Sequence, residues 1–268
     1  MINFKNETSK PQLSIIQDVI RNNIPPRAAA EKLASMSLSS PYALPHALNG
    51  LWYLIITLAG IFPEHQDKLV DIVVCFSKLP DEKADQGEPL RIDDEKVWKD
   101  LPYLDFLFRY ELNGPMVRWD QVWISYVTNM NRFMALLMAT QEPVFDYSIF
   151  ALWALREALE GVPKSLERDL DPPGAHIPAA AVWIEILGVE IHDWDEEWES
   201  GPCIGARGKG GPLWKGKHGF CKERWELWRR RFGELANGTE GDEFGEEVRT
   251  TAREAEQMMK DIENGNVD

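Results

Sequence analysis

The sequence predicts an all-α fold: one single-domain bundle of roughly nine to ten helices across residues 1–268, without significant β-sheet. Three observations predict it. Apolar residues recur at steps of three and four along almost the whole chain, the spacing that builds one face of a helix. Proline and glycine clusters cut this pattern into helix-sized segments. No stretch alternates with the period of two that a half-buried strand requires.

Short amphipathic stretches at Leu13–Arg21 and Arg27–Met36 open the chain. Leu48, Leu51, Trp52, Ile55 and Leu58 then form one helical face. The apolar run Leu51–Phe62 spans 12 residues, is interrupted by Thr57 and Gly60 and closes at Pro63-Glu64. A membrane helix needs about 20, so the run reads as a core helix. Leu69, Ile72, Val73 and Phe76 make the next face, bounded by Pro63 and Pro80. A short helix is expected at Tyr103–Glu111 and a long one over Val117–Thr140, striped by Trp119, Trp123, Tyr126, Met130, Phe133 and Leu137.

Ile149, Leu152, Trp153 and Leu159 form a further face that stops at Gly161-Val162-Pro163. Helices follow at Ala179–Leu187, at Phe220–Leu235 (Cys221, Trp225, Trp228, Phe232 and Leu235) and at Glu246–Ile262. Breaks fall at Pro80–Pro89, at Leu166–Pro178 and at Glu199–Gly219, the last with six glycines between Gly201 and Gly216. The acidic end, 238–268, carries the last helix and a tail expected to fray from Asn264.

The charge is lopsided: 29 Lys and Arg against 44 Asp and Glu give a net −15. A field of that sign repels nucleic acid and anionic membranes. Three cysteines (Cys75, Cys203 and Cys221), far apart and odd in number, fit a reducing cytoplasmic compartment better than a disulfide framework. Met1–Lys10 is polar and has no secretory core.

One segment departs from the general charge. Residues 202–231 carry nine cations against Glu223 and Glu226, a local +7 that leaves −22 elsewhere. An acidic block, Asp193, Asp195, Glu196, Glu197 and Glu199, lies just before it. Either the basic segment folds onto that block as solvated ion pairs, or the glycine-rich turn and the next helix start hold an anion. The P-loop pattern fails, because Gly208-Lys209 is followed by Gly210 and the first glycine position holds Cys203.

Gly210-Gly211-Pro212-Leu213-Trp214-Lys215-Gly216, then Gly219-Phe220 and Glu223-Arg224-Trp225-Glu226-Leu227-Trp228, resemble the C-terminal signature of a fungal family catalogued as domain of unknown function 3632. Thr128–Leu137 resembles its central motif, Ala154–Glu160 the element after it, and Trp98–Pro102 (Trp-Lys-Asp-Leu-Pro) also fits. The resemblance covers roughly residues 45–235. It implies a fungal, helical, intracellular protein with a place in natural-product pathways, and it carries over no catalytic residue.

No G-x-S-x-G, H-E-x-x-H, paired C-x-x-C or G-x-G-x-x-G occurs, so no cofactor, metal or catalytic residue is assigned. His192-Asp193-Trp194-Asp195 reads as an exposed helix end rather than a metal site. Asp93-Asp94-Glu95 lacks the third carboxylate of a terpene-cyclase metal motif, and Glu167, Asp169 and Asp171 read as solvated charge.

The leading expectation is an aromatic-lined pocket for a small organic or anionic molecule, drawn from 11 tryptophans and from Asn129, Trp214, Arg224 and Trp225 as ligand-binding residues. Any chemistry there would work by positioning and electrostatics. The rival expectation is a non-enzymatic interaction or regulatory module that docks an acidic partner through the basic surface 215–231. Self-association into a homo-oligomer is compatible with either.

Overall fold

The structure is a computed structural model and describes residues 9–40, 42–84, 87–113, 120–161, 173–199, 207–238 and 245–266. Trp119, the Val162-Pro163 stop, Glu167, Asp169, Asp171 and Cys203 lie outside the described residues. It is 67% helical, with ten α-helices and two short two-stranded pairings among the described residues. The all-α expectation holds. The chain forms two compact units, residues 1–115 with 140–145, and residues 116–139 with 146–268.

The N-terminal unit holds α1 (Ser9–Ile20), α2 (Pro26–Leu38), α3 (Leu44–Ile61), α4 (Gln66–Ser77), the hairpin β1–β2 (Arg91–Ile92 with Glu95–Lys96) and α5 (Leu104–Leu112). Proline in the first turn starts α2 and α3, where its missing N–H leaves no bond unmade. The core forms where α2 packs on α4 and α3 on α5. Trp52 meets the edge of Phe76 at 5.1 Å, and Trp98 stacks on Phe76 at 5.5 Å. The Trp52 indole donates to the Pro102 carbonyl at 3.0 Å, so the Trp98–Pro102 motif closes this core. α3 and the 174–193 helix are long and apolar enough to cross a membrane by length and composition, but 56% and 61% of them are buried inside the protein.

The C-terminal unit holds α6 (Gln121–Ala139), α7 (Ser148–Leu159), α8 (Ile177–Asp193), β3 (Glu196–Glu197), β4 (Gly219–Phe220), α9 (Lys222–Ala236) and α10 (Glu246–Glu263). Asp120 starts α6 by accepting from the Trp123 amide at 3.0 Å, an N-cap contact. α6 and α7 lie on α8, and α10 lies across α8 and α9. Two glycines set the last contact. A Cβ on Gly188 would stand 2.7 Å from Ile262, and one on Gly233 2.6 Å from the Glu256 carboxylate. Both missing side chains let α10 come close. α8 kinks at Leu187, whose φ of −129° and ψ of 22° leave the helical range.

Candidate functional site

The strongest concentration of polar and aromatic groups surrounds Glu160, at the C-cap of α7, and Arg224, in the first turn of α9. Both side chains are 0% exposed. Arg224 Nε and Nη2 donate to the two Glu160 oxygens at 2.7 and 3.1 Å, a bidentate pair. Arg224 Nη1 donates to the carbonyls of Gly208 at 3.0 Å and Gly219 at 2.7 Å. Glu160 also accepts from Trp228 Nε1 at 2.8 Å and from the Gly211 amide at 2.7 Å. The guanidinium carbon lies 5.6 Å from the Trp214 ring centre and 5.4 Å from that of Trp228. Burying an ion pair costs several kcal/mol per charge unless the remaining hydrogen-bonding capacity is met. Here it is met.

The strap Arg207–Gly219 is what this pair holds down. The Leu213 amide donates to the Glu160 carbonyl at 3.0 Å, and Trp214 Nε1 donates to the Lys217 carbonyl at 2.9 Å. Glycine recurs here for want of room. A Cβ on Gly210 or Gly216 would enter the Trp214 indole, and one on Gly211 would stand 2.7 Å from the Glu160 carbonyl oxygen. Gly219, at φ +152°, runs against the Glu196 carbonyl where no side chain fits. The indole of Trp214 therefore lies between two bare backbone positions and the guanidinium. Arg224, Glu160 and Trp228 are all buried here.

The acidic block and the basic segment meet through β3 and β4, which pair antiparallel with Glu196 opposite Phe220. Lys217 bonds Asp195, and Lys222 reaches Asp193 at 3.3 Å and the His192 carbonyl at 2.5 Å. The bond to Lys217's ammonium holds its pKa above the usual lysine value, and Lys222 holds Asp193 below the usual carboxylate range. The cation beside His192 and Asp193 is thus Lys222. Among the described residues, no three His, Cys, Asp or Glu converge as a metal would need.

Along α9, Arg229 pairs with Glu263 at 2.8 Å, Arg230 with Glu234 at 3.7 Å and Arg231 with Glu234 at 2.6 Å. Much of the basic segment is therefore matched by the chain's own carboxylates. Arg207, Lys209 and Lys215 differ: they are exposed on the strap and form no ion pair among the described residues.

Of the residues singled out by sequence, Trp214 and Arg224 come together. Trp225 lies behind them, its indole donating to Glu263 at 2.9 Å and its ring 5.1 Å from His192. Asn129 is half-buried on α6 and is not one of the groups around Glu160. Sequence reasoning missed Asn131, two positions on. Its side chain accepts from Trp183 Nε1 at 2.8 Å and donates to the Val127 carbonyl at 2.9 Å, tying α6 to α8. It also missed Glu160. The available signal was an acid at a helix C-terminus, where the macrodipole disfavours negative charge, so a strong tertiary partner had to be sought.

No curated protein and no solved structure matches this chain. A family model does, and its span, residues 52–232, takes in Trp52, the Trp98–Pro102 closure, Glu160, the strap and Arg224. The chain belongs to the family described as Protein of unknown function (DUF3632).

Proposed function

We propose that the protein is a non-catalytic helical docking module whose strap binds an acidic surface on a partner. The observation that carries this reading is the division of labour among the cations. Arg224 is buried and spends four of its five N–H groups inside the protein, whereas Arg207, Lys209 and Lys215 face solvent on a strap anchored from beneath. Leu213, 39% exposed at the strap's turn, adds an apolar contact beside them. Cations on an anchored strap beside a small apolar knob suit recognition of an acidic segment, since less conformational freedom is lost on binding.

The test is titration of a labelled glutamate- and leucine-containing peptide into the wild-type protein and into a triple variant, Arg207→Glu, Lys209→Glu, Lys215→Glu. We expect saturable binding that weakens with salt and falls at least about tenfold in the variant, with the melting temperature unchanged. Equal binding by the two proteins would exclude the strap.

Small-molecule binding draws on a different place. Trp123 Nε1 and Thr128 Oγ1 are buried on α6, the helix that carries Asn129, and have no hydrogen-bond partner among the described residues. Buried polar atoms of that kind call for a partner. A thermal-shift screen of small hydrogen-bonding aromatics, repeated with Asn129→Ala, distinguishes a ligand site from packing: only a site loses its stabilisation in the variant.

A further inference from the structure

Asn-Gly occurs four times in the chain, beginning at Asn49, Asn113, Asn237 and Asn264. The dipeptide is chemically labile, because glycine puts no side chain in the way when its amide nitrogen approaches the preceding carboxamide. In all four the Asn Nδ2 donates to the carbonyl four residues back: Pro45 at 2.9 Å, and Arg109, Gly233 and Lys260 at 2.8 Å. Their settings differ. Asn49-Gly50 lies inside α3, and Gly114 lies outside the described residues. Asn237 is exposed at the C-cap of α9, and Gly238 follows it at φ +69°. The Gly238 amide donates to the Leu235 carbonyl at 3.3 Å, long for a hydrogen bond, whereas the matching bond from Gly265 to Ile262 is 3.0 Å.

These two bonds, from the Asn237 carboxamide and from the Gly238 amide, are the brakes on the pair. Both belong to the last turn of α9, and helix ends open at little cost. What lies beside that turn is α10. It stands against α9 over Gly233, the residue whose carbonyl Asn237 caps: a Cβ there would be 2.6 Å from the Glu256 carboxylate. At the far end of α10, Glu263 accepts from Trp225 at 2.9 Å and from Arg229 at 2.8 Å. Asn264 caps α10 by the same bond, but no helix follows it among the described residues.

We propose that Asn237-Gly238 is a deamidation site, a slow covalent switch at the joint between α9 and α10. The Gly238 nitrogen, giving its proton to solvent, bonds to Asn237 Cγ; the Cγ–Nδ2 bond breaks and ammonia leaves. Water then opens the cyclic imide at either carbonyl. One product is aspartate, the other isoaspartate, whose main chain runs through the former side chain. Each replaces the donor to Gly233 by a carboxylate at the C-terminal end of α9, where the helix dipole disfavours negative charge. Isoaspartate also adds a methylene to the main chain that leads to α10, so the modification loosens α10 from α9.

The test is incubation of the full chain at mildly alkaline pH, folded and in urea, followed by peptide mapping with mass spectrometry. Folded protein should gain the NH2-to-OH mass increment, with isoaspartate, at Asn237 and not at Asn49, and urea should remove that difference. Asn237→Gln should lose the increment in this peptide. Aged wild-type protein, separated from fresh by charge, should melt at a lower temperature and exchange the α10 amides faster, and aged Asn237→Gln should show neither change. An increment at Asn237 no greater than at Asn49 in the folded protein would overturn the site. Modified protein with unchanged exchange along α10 would overturn the switch.

Discussion

At the scale of single residues, Glu160 decides the most. It is buried with Arg224, and its carboxylate accepts four hydrogen bonds, from Arg224 Nε and Nη2, Trp228 Nε1 and the Gly211 amide. Removing one partner of a buried pair leaves an uncompensated charge, which costs about 3–5 kcal/mol. Glu160→Ala should therefore lower the free energy of urea unfolding by about that amount. Breaking the exposed Lys217–Asp195 pair with Lys217→Ala should cost no more than about 1 kcal/mol. Arg224 was legible in the sequence as a cation flanking a tryptophan stripe, but its function there was not. Its partner stands 64 residues away, and no local periodicity reports a contact of that range. Asn131 teaches the same lesson. A polar residue inside an apolar stripe marks a buried amide, and only the arrival of Trp183 from α8 says why it is there.

At the scale of elements, all ten helices were legible, because burying one face imposes a period that survives in the residues themselves. Proline marked the ends around α4, but α8, expected to stop at Leu187, runs on through a kink there to Asp193. What periodicity could not reveal was the geometry of the strap, where glycines answer to close neighbours rather than to a repeat. The two-residue strands were also hidden, being too short to alternate. Gly219 offers the sharpest check at this scale. It combines a positive φ with the Glu196 carbonyl set against its α-carbon, so even a methyl must move the β3–β4 pairing. Gly219→Ala should destabilise by about 1–3 kcal/mol or more, whereas Gly245→Ala, with open space around it, should change stability by less than about 1 kcal/mol. Differential scanning of the two variants makes the comparison.

At the scale of the whole molecule, charge is arranged rather than merely abundant. The net −15 coexists with a basic segment matched in part to the acidic block before it, leaving the strap's outer cations to solvent. The pH response follows from the shifts. Asp193 is depressed in the folded state by Lys222, so its contribution is present above the ordinary carboxylate value and is lost as pH falls through the folded one. Lys217 is raised, so its contribution is lost only at alkaline pH. Asp193→Asn should thus flatten the acid limb of a melting-temperature profile and leave the alkaline limb in place.

The clamp itself is tested most directly by hydrogen exchange at the Gly211 and Leu213 amides, the two strap donors that end on Glu160. The account predicts strong protection of both in the wild-type protein, lost for Gly211 first when Glu160 is replaced by Gln. Exchange of both at the rate of an open loop in the wild type would mean that the strap is not held, and that its cations are not presented from a fixed base.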